Sequence, residues 1–334
     1  MLAEDFSPWF VRGCAFFFGA LWGSFFNVAI YRWPRDMSVV APPSHCPACG
    51  APVPWYRNVP IVAYLTQRGR AACCGAKMTA RYLLVELLAG VLCLALAERL
   101  FVAHGSLEAS TAAIHVLLYF AFCGALIVAT FTDLEWMMIP DEVTLPAAAL
   151  GLVSVEWRNV DAVSMAVGAG TGFLLVQLVF VWSYERLMGR RGMGEGDAKL
   201  LLAIGAFVGW KGVLFSVAAG SLQGVAAAVV GFLTGRGHSP ELRELVVRVP
   251  ENSASKVAAA CDDADGERAA FVASDSDADA EADAEAEPER ESGSDAVVAR
   301  GPLKLPFGPF LALGALEWIF FGEELLAWYL ALLE

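Results

Sequence analysis

The sequence predicts an all-α polytopic membrane protein with about eight transmembrane helices and a small cytoplasmic loop domain that contains cysteines. The chain has 334 residues, of which 57% are apolar, and its mean hydropathy of +0.55 is rare among soluble domains. Backbone polar groups in lipid must be satisfied within the spanning segment, so the spans are expected to be helices. Four uncharged runs are each long enough to cross a bilayer: Gly13–Tyr31, Thr111–Thr132, Ala162–Ser183 and Gly212–Thr234.

Four further apolar segments complete the predicted set. Tyr82–Ala97 is interrupted by Glu86, and Leu305–Tyr329 contains three glutamates. Val143–Val155 and Leu200–Trp210 are shorter than a typical transmembrane helix. We therefore expect them to be tilted, re-entrant or shielded by protein.

The chain divides into five predicted regions. They are a first transmembrane helix (1–31), a cytoplasmic cysteine-containing domain (32–81), a transmembrane core (82–234), an acidic insertion (235–304) and a last transmembrane helix (305–334). Between Asp262 and Asp295, fourteen acidic and two basic residues account for −12 of the net charge of −13. Such a segment has almost nothing to bury, so we expect the insertion to be disordered. It is either an acidic interaction tail or a tolerated loop insertion.

Basic residues predict the orientation in the membrane. They concentrate between the first two helices and again just before residue 192. The positive-inside rule therefore places these loops in the cytoplasm and the N-terminus outside. Counting helices then puts 32–81, 133–142 and 186–197 on the cytoplasmic side, so Asp133 and Asp197 are expected to reach the same face.

Two acidic motifs interrupt the apolar segments. Asp133 lies in FTDLEWMMIPD, and Asp197 lies in GMGEGD, where Gly194 and Gly196 precede it. A lone interfacial aspartate is usually only a solvated helix end. Two carboxylates at the same ends of different helices instead favour a dyad that shares one proton, activates water and protonates a leaving amine. The glycines allow a close approach of the backbone beside Asp197.

Six motifs, in order along the chain, resemble those of the type IV prepilin peptidases, which are membrane aspartic peptidases of the GxGD type. The resemblance covers nearly the whole chain outside the insertion, and it implies that 82–234 is a peptidase core with Asp133 and Asp197 as its catalytic acids. The motifs are GSFFNVAIYRWPR, CPACGAPVPWYRNVPIVAYLTQRGR, RYLLVELLAG, FTDLEWMMIPD, GMGEGDAKLLLAIGAFVGW and LPFGPFLALGA.

The resemblance assigns lesser roles to nearby residues. Asp141 matches a recurrent, non-catalytic position, and we expect it to cap the next helix. Lys199 either tunes the site or extends to the membrane interface. Gly194 and Gly196 are supporting residues.

The resemblance also implies a function. The chain would cleave the basic leader of type IV prepilins or type II secretion pseudopilins on the cytoplasmic side of the bacterial inner membrane. Several family members also methylate the new N-terminus with S-adenosylmethionine, although nothing in the composition or spacing of this sequence points to that activity. Membrane lipid is an expected partner and nucleic acid is not. The sequence identifies neither the particular prepilin nor the oligomeric state.

Three alternatives stay open at this point. The chain could be a relative specialised for another membrane substrate. It could be a transporter whose aspartates carry protons or metal, with the short apolar segments as broken helices. It could also be a non-catalytic scaffold, because the family's cysteine pattern is incomplete.

Four cysteines in the first cytoplasmic loop form a candidate metal site. Cys46, Cys49, Cys73 and Cys74 share a reducing compartment, which favours metal ligation over disulfides. The family pattern of two CxxC pairs resembles a structural zinc site. Here Ala71 occupies the third position and Cys73 is displaced by two residues, so that two adjacent cysteines could both ligate only with a strained backbone. The loop either holds zinc, with His45 as an untested substitute ligand, or is held by packing alone.

Overall fold

The computed structural model describes residues 2–103, 107–183, 185–186, 194–234 and 306–331. The predicted acidic insertion lies outside these residues, and so does the first part of GMGEGD, up to Met193.

The described residues are mainly helical, which confirms the predicted all-α class. Their β-structure is restricted to isolated bridges such as His45–Pro52 and Arg70–Lys77. The helices Arg81–Ala97 and Ala162–Leu174 continue as π-helical segments through Glu98–Val102 and Leu175–Ser183. The principal helices are α1 (Pro8–Arg32), α2 (Val62–Thr66), α3 (Arg81–Ala97), α4 (Ala109–Trp136), α5 (Asp141–Val153), α6 (Val155–Arg158), α7 (Ala162–Leu174), α8 (Glu195–Leu233) and α9 (Gly308–Ala331).

Four of the described helices are long and apolar enough to span a membrane, so the predicted count of eight is not confirmed. Helix α3 has only 17 residues, and α5 has 13 with Pro146 inside it. The predicted segments Leu200–Trp210 and Gly212–Thr234 lie, apart from Thr234 itself, within the range of α8, which is interrupted by the non-helical backbone of Gly209. The final segment contributes a shorter apolar helix, Gly308–Gly322. The four spans are Pro8–Arg35, Ala109–Trp136, Ala162–Ser183 and Glu195–Gly231.

Helix α8 is kinked at Gly209. This residue has φ 71° and ψ −179°, a conformation that strongly favours glycine. The buried guanidinium of Arg158 donates hydrogen bonds of 3.0 Å to each of the carbonyl oxygens of Ala206 and Phe207, just before the kink. It also bonds the carbonyl of Gly151 in α5. Because a kink frees carbonyls from the helical ladder, Arg158 stabilises the half of α8 that begins near Asp197.

Two apolar cores meet at α4. One is formed by α4, α5, α7, α8 and α9 and includes the stacked rings of Phe122 and Phe207, whose centroids are 4.2 Å apart. The other joins α1, α3 and α4. Glycines allow close packing between α1 and α3: a Cβ added to Gly23 would lie 2.7 Å from Cα of Glu86. Helix α4 therefore packs against one apolar core on each of two faces, and this packing fixes the position of its last turn.

The loop between α1 and α3 contains turns and the short helix α2. Buried groups of the flanking helices hold it: Glu86 of α3 accepts a 2.7 Å hydrogen bond from the backbone N–H of Ile61. Arg32 of α1 donates to the carbonyl oxygens of Ser38 and Pro42 at 2.9 and 2.7 Å. The loop is thus attached to the helical core at both ends. Its predicted cytoplasmic location stays a prediction.

Candidate active site

Asp133 lies in the last turn of α4 with its side chain buried at 7% relative exposure. The helix ends at Trp136 because Met137 takes a left-handed conformation, with φ 56°, and donates its N–H to the Asp133 carbonyl at 2.9 Å. The side-chain carboxylate accepts a 2.9 Å hydrogen bond from the backbone N–H of Gly308, at the start of α9. Two helices distant in sequence therefore fix the position of this carboxyl group.

Asp197 lies in the first turn of α8 and is partly buried. Its backbone N–H donates to the carbonyl of Gly194 at 3.2 Å. A Cβ on Gly194 would meet the Asp197 Oδ2 at 3.7 Å, which is ordinary contact. The turn before Asp197 thus folds back towards its carboxyl group.

The two carboxyl groups converge around Ile139. A Cβ on Gly196 would lie 3.1 Å from Cβ of Ile139, and one on Gly308 would lie 3.1 Å from its Cδ1. Ile139 is itself buried, so it separates the start of α8 from the start of α9. Asp133, which accepts from Gly308, and Asp197, which follows Gly196, are thus both placed beside the Ile139 side chain. The structure therefore brings the two predicted acids together.

Gly308 is a site residue that the sequence prediction did not single out. A Cβ there would come within 2.7 Å of Oδ2 of Asp133, closer than real Cβ contacts allow. The signal was available in LPFGPFLALGA, which contains Gly308 and was recognised only as a family motif. Nothing in the sequence places that motif beside Asp133, because 175 residues separate Gly308 from it.

Asp141 and Lys199 pair with each other. The Nζ of Lys199 lies 2.7 and 2.6 Å from the two carboxylate oxygens of Asp141. The expectation that Asp141 caps α5 is wrong: Pro140 is the N-cap residue and Asp141 is the first residue of the helix. The salt bridge ties the start of α5 to the first turns of α8.

A second ion pair lies beside Asp133. Nη1 of Arg81, at the start of α3, lies 2.5 and 2.6 Å from the two carboxylate oxygens of Glu135. The two side chains are only 9% and 6% exposed. The guanidinium of Arg35 stacks on Trp136, 4.4 Å from the ring centroid. The two ends of the loop between α1 and α3 are thereby joined to the last turn of α4.

The four loop cysteines form one cluster. Their sulfur atoms all lie within 4.8 Å of one another, with Sγ–Sγ distances of 3.4 Å for Cys49–Cys73, 3.8 Å for Cys46–Cys74 and 3.9 Å for Cys73–Cys74. Tetrahedral zinc with Zn–S bonds of about 2.3 Å requires sulfurs about 3.8 Å apart. The donor set and its spacing therefore fit zinc.

The structure adds two features of the cysteine cluster that the sequence did not predict: the backbone angles of its second turn and the pKa of the Cys46 thiol. Within the second turn, the positive φ of 71° is at Gly75 and not at the adjacent Cys73 and Cys74. Cys46 is buried, which opposes ionisation, but backbone hydrogen bonds from Ala48 and Cys49 prevail and lower the pKa of its thiol to about 7. A thiolate is the form that binds metal.

Comparison with known proteins places the chain in a family. The family model described as the bacterial peptidase A24 N-terminal domain matches residues 17–100, and the type IV leader peptidase family model matches residues 120–229. A prepilin leader peptidase/N-methyltransferase of Aeromonas hydrophila is 34% identical over 256 residues, covering 69% of this chain and 84% of that protein. A protein of the same name from Neisseria gonorrhoeae is 35% identical, covering 64% and 79% of the two chains. No solved structure matches this chain.

The fold and the site define a helical membrane protein that holds two carboxyl groups together between its helices. With the matches above, the chain belongs to the type IV leader peptidase family, which confirms the resemblance found in the sequence.

Proposed function

We propose that this chain is a membrane aspartic endopeptidase that removes the leader peptide of type IV prepilins or type II secretion pseudopilins. One observation carries the proposal: Asp133 and Asp197, from motifs far apart in sequence, lie at the ends of packed helices on either side of Ile139. The names of its relatives support the substrate class. They do not favour a transporter that uses the same aspartates.

The proposed mechanism uses one proton shared by the two acids. The ionised carboxylate accepts a proton from water, whose oxygen attacks the carbonyl carbon of the scissile peptide. The protonated carboxyl group donates to the carbonyl oxygen. When the tetrahedral intermediate collapses, one acid delivers a proton to the leaving amine and the other takes one from a hydroxyl group. The dyad then returns to its singly protonated state.

Burial and glycines support this chemistry. The low exposure of Asp133 strengthens its electrostatic interaction with Asp197, because water screens the pair less. An added Cβ at Gly194 would have only atoms of its own turn within 4 Å, so an extended peptide backbone could approach Asp197 on that side, whereas Gly196 packs against Ile139. The distribution of basic residues supports a cytoplasmic site in the inner membrane.

Two cofactors belong to the proposal. The relatives' names include N-methyltransferase, so this chain would use S-adenosylmethionine if it shares that activity; no residue here is assigned to it. The cysteine cluster would hold a structural zinc, supported by its sulfur spacing. Zinc would cross-link the loop, and the hydrolysis above does not require it.

The test is cleavage of a prepilin whose leader ends in Gly by membranes that contain the wild type or one of three variants. Asp133→Asn and Asp197→Asn keep the side-chain size but cannot exchange a proton, so each should lower the rate by about 10³-fold or more. Asp141→Asn is the matched control and should cleave at close to the wild-type rate. Retained cleavage in either of the first two variants, with equal membrane levels, would refute the dyad.

A further inference from the structure

The cysteine loop contains two turns with the same hydrogen-bond framework. In the first turn, Cys46 donates its N–H to the carbonyl of Ala51 at 2.8 Å, and Gly50 donates back to the carbonyl of Cys46 at 2.8 Å. In the second, Ala71 donates to Ala76 at 2.8 Å, and Gly75 donates back to Ala71 at 2.7 Å. Gly50 and Gly75 have φ of 70° and 71°. The two backbones therefore correspond residue by residue.

This correspondence shows which thiol is missing from the second turn. Cys74 occupies the place that Cys49 has in the first turn, one residue before the glycine. Ala71 occupies the place of Cys46, whose side chain faces the cluster from the first position of its turn. The second turn has kept its backbone framework but has a methyl group where the first has a thiol.

Cys73 supplies the missing sulfur from another position. Its Sγ lies 3.4 Å from that of Cys49 and 3.9 Å from that of Cys74. All four sulfurs stay within 4.8 Å of one another although Cys73 and Cys74 are adjacent in sequence. His45, the substitute considered from sequence, does not belong to this cluster; its Nδ1 lies 3.1 Å from the carbonyl oxygen of Pro43.

We infer that this chain holds its metal with a relocated ligand: Cys73 replaces the thiol absent at position 71, giving a four-thiolate site with two neighbouring cysteines. The inference rests on the structural zinc proposed above and extends it to the ligand set. Three of the four thiols are exposed, so the metal should exchange readily with chelators in the medium.

The ligand assignment can be tested by moving the thiol back. The full-length protein in detergent is titrated with Co²⁺, whose thiolate charge-transfer absorption reports how many sulfurs bind. Cys73→Ala should weaken binding by at least about tenfold, the lower end of the effect of altering a metal site, and should reduce the charge-transfer intensity. The double variant Ala71→Cys/Cys73→Ala restores the thiol to the first position of the turn and should recover both affinity and intensity. His45→Ala should bind like the wild type.

Each outcome has one meaning. Wild-type affinity in Cys73→Ala would overturn the assignment of Cys73, and so would a double variant that binds no better than Cys73→Ala. If the wild type, with its four thiols shown by mass spectrometry to be reduced, binds no Co²⁺ or Zn²⁺, the zinc itself is wrong. Prepilin cleavage is measured separately, so failure of metal binding and failure of the peptidase proposal are distinguishable.

Discussion

The aspartate site and the cysteine cluster are built in opposite ways. The aspartates come from intact sequence motifs, but long-range packing of α4, α8 and α9 brings them together. The cysteines come from a broken motif, and two short turns nevertheless bring their sulfurs within 4.8 Å. For the first site, the sequence motifs thus identify the two acids that the fold places beside Ile139. For the second, the local backbone framework is a better guide than the positions of the cysteines.

The difference also concerns what holds each site. Asp133 is held in place by the packing of α4 and α9, so substitutions near it should change its position through the packing of these helices. The cysteine cluster lies in a loop in which only Cys46 of the four is buried, so its order depends on turns and on the metal. Substitutions around the aspartates should therefore change activity in proportion to how directly they fix Asp133.

After the dyad itself, the largest effect should come from breaking the Arg81–Glu135 pair. Glu135→Gln leaves the buried cation of Arg81 without its counter-charge, and removal of one partner of such a pair typically costs about 3–5 kcal/mol. We expect a clear loss of thermal stability in detergent and lower cleavage, because Glu135 is two residues from Asp133. The double variant Arg81→Met/Glu135→Gln removes the stranded charge and should be more stable than Glu135→Gln. A single variant as stable as the wild type would show that the pair does not hold α4.

A smaller effect is expected from Gly308→Ala. The added Cβ would lie 2.7 Å from Oδ2 of Asp133, so the carboxyl group or the start of α9 must shift. A displacement of this size near reacting groups should lower cleavage by about 10- to 100-fold, while the protein still inserts in the membrane. Gly170→Ala is the matched control, because nothing lies within 4 Å of its added Cβ. Equal activity in the two variants would argue against a positioning role for Gly308.

The sequence predicted the site better than the number of spans. Asp133 and Asp197 carry recognisable chemistry, and orientation from basic loops indicated that they share a face. Gly308 was missed because a backbone N–H has no sequence signature of its own, and only folding brings it to Asp133. The count of eight spans was not confirmed because three of the predicted segments form short helices, α3, α5 and Gly308–Gly322, and hydropathy alone does not give helix length.

The Lys199–Asp141 salt bridge should contribute little. Asp141 is 51% exposed and Lys199 is 29% exposed, and exposed pairs typically contribute less than about 1 kcal/mol because water and salt screen them. Lys199→Met should therefore lower cleavage by less than about tenfold, and the activity of the variant itself should not depend on salt, because the bridge is gone. In the wild type, added salt should reproduce part of that loss. A loss as large as that of the dyad variants would instead place Lys199 in the chemistry.

The smallest effect is expected from deleting most of the acidic insertion. Helices α8 and α9 pack directly as antiparallel neighbours: a Cβ on Gly220 would meet the carbonyl of Phe310 at 3.1 Å, and one on Gly314 would meet Ser216 at 2.9 Å. Phe307 lies opposite Gly224, so α8 extends about 15 Å beyond this level, at 1.5 Å per residue.

The chain that connects the end of α8 to the start of α9 must span at least this distance of about 15 Å. Deletion of Gly237–Ala299 leaves eight residues between Thr234 and Pro306, which can span about 26 Å when extended and so exceed the 15 Å required. Cleavage and thermal stability of the deletion variant should therefore equal those of the wild type. A control in which 237–299 are replaced by a neutral Gly/Ser linker separates length from charge. If the deletion and the linker variant both lose cleavage at normal membrane levels, the acidic segment is an interaction tail, because α8 and α9 pair without it.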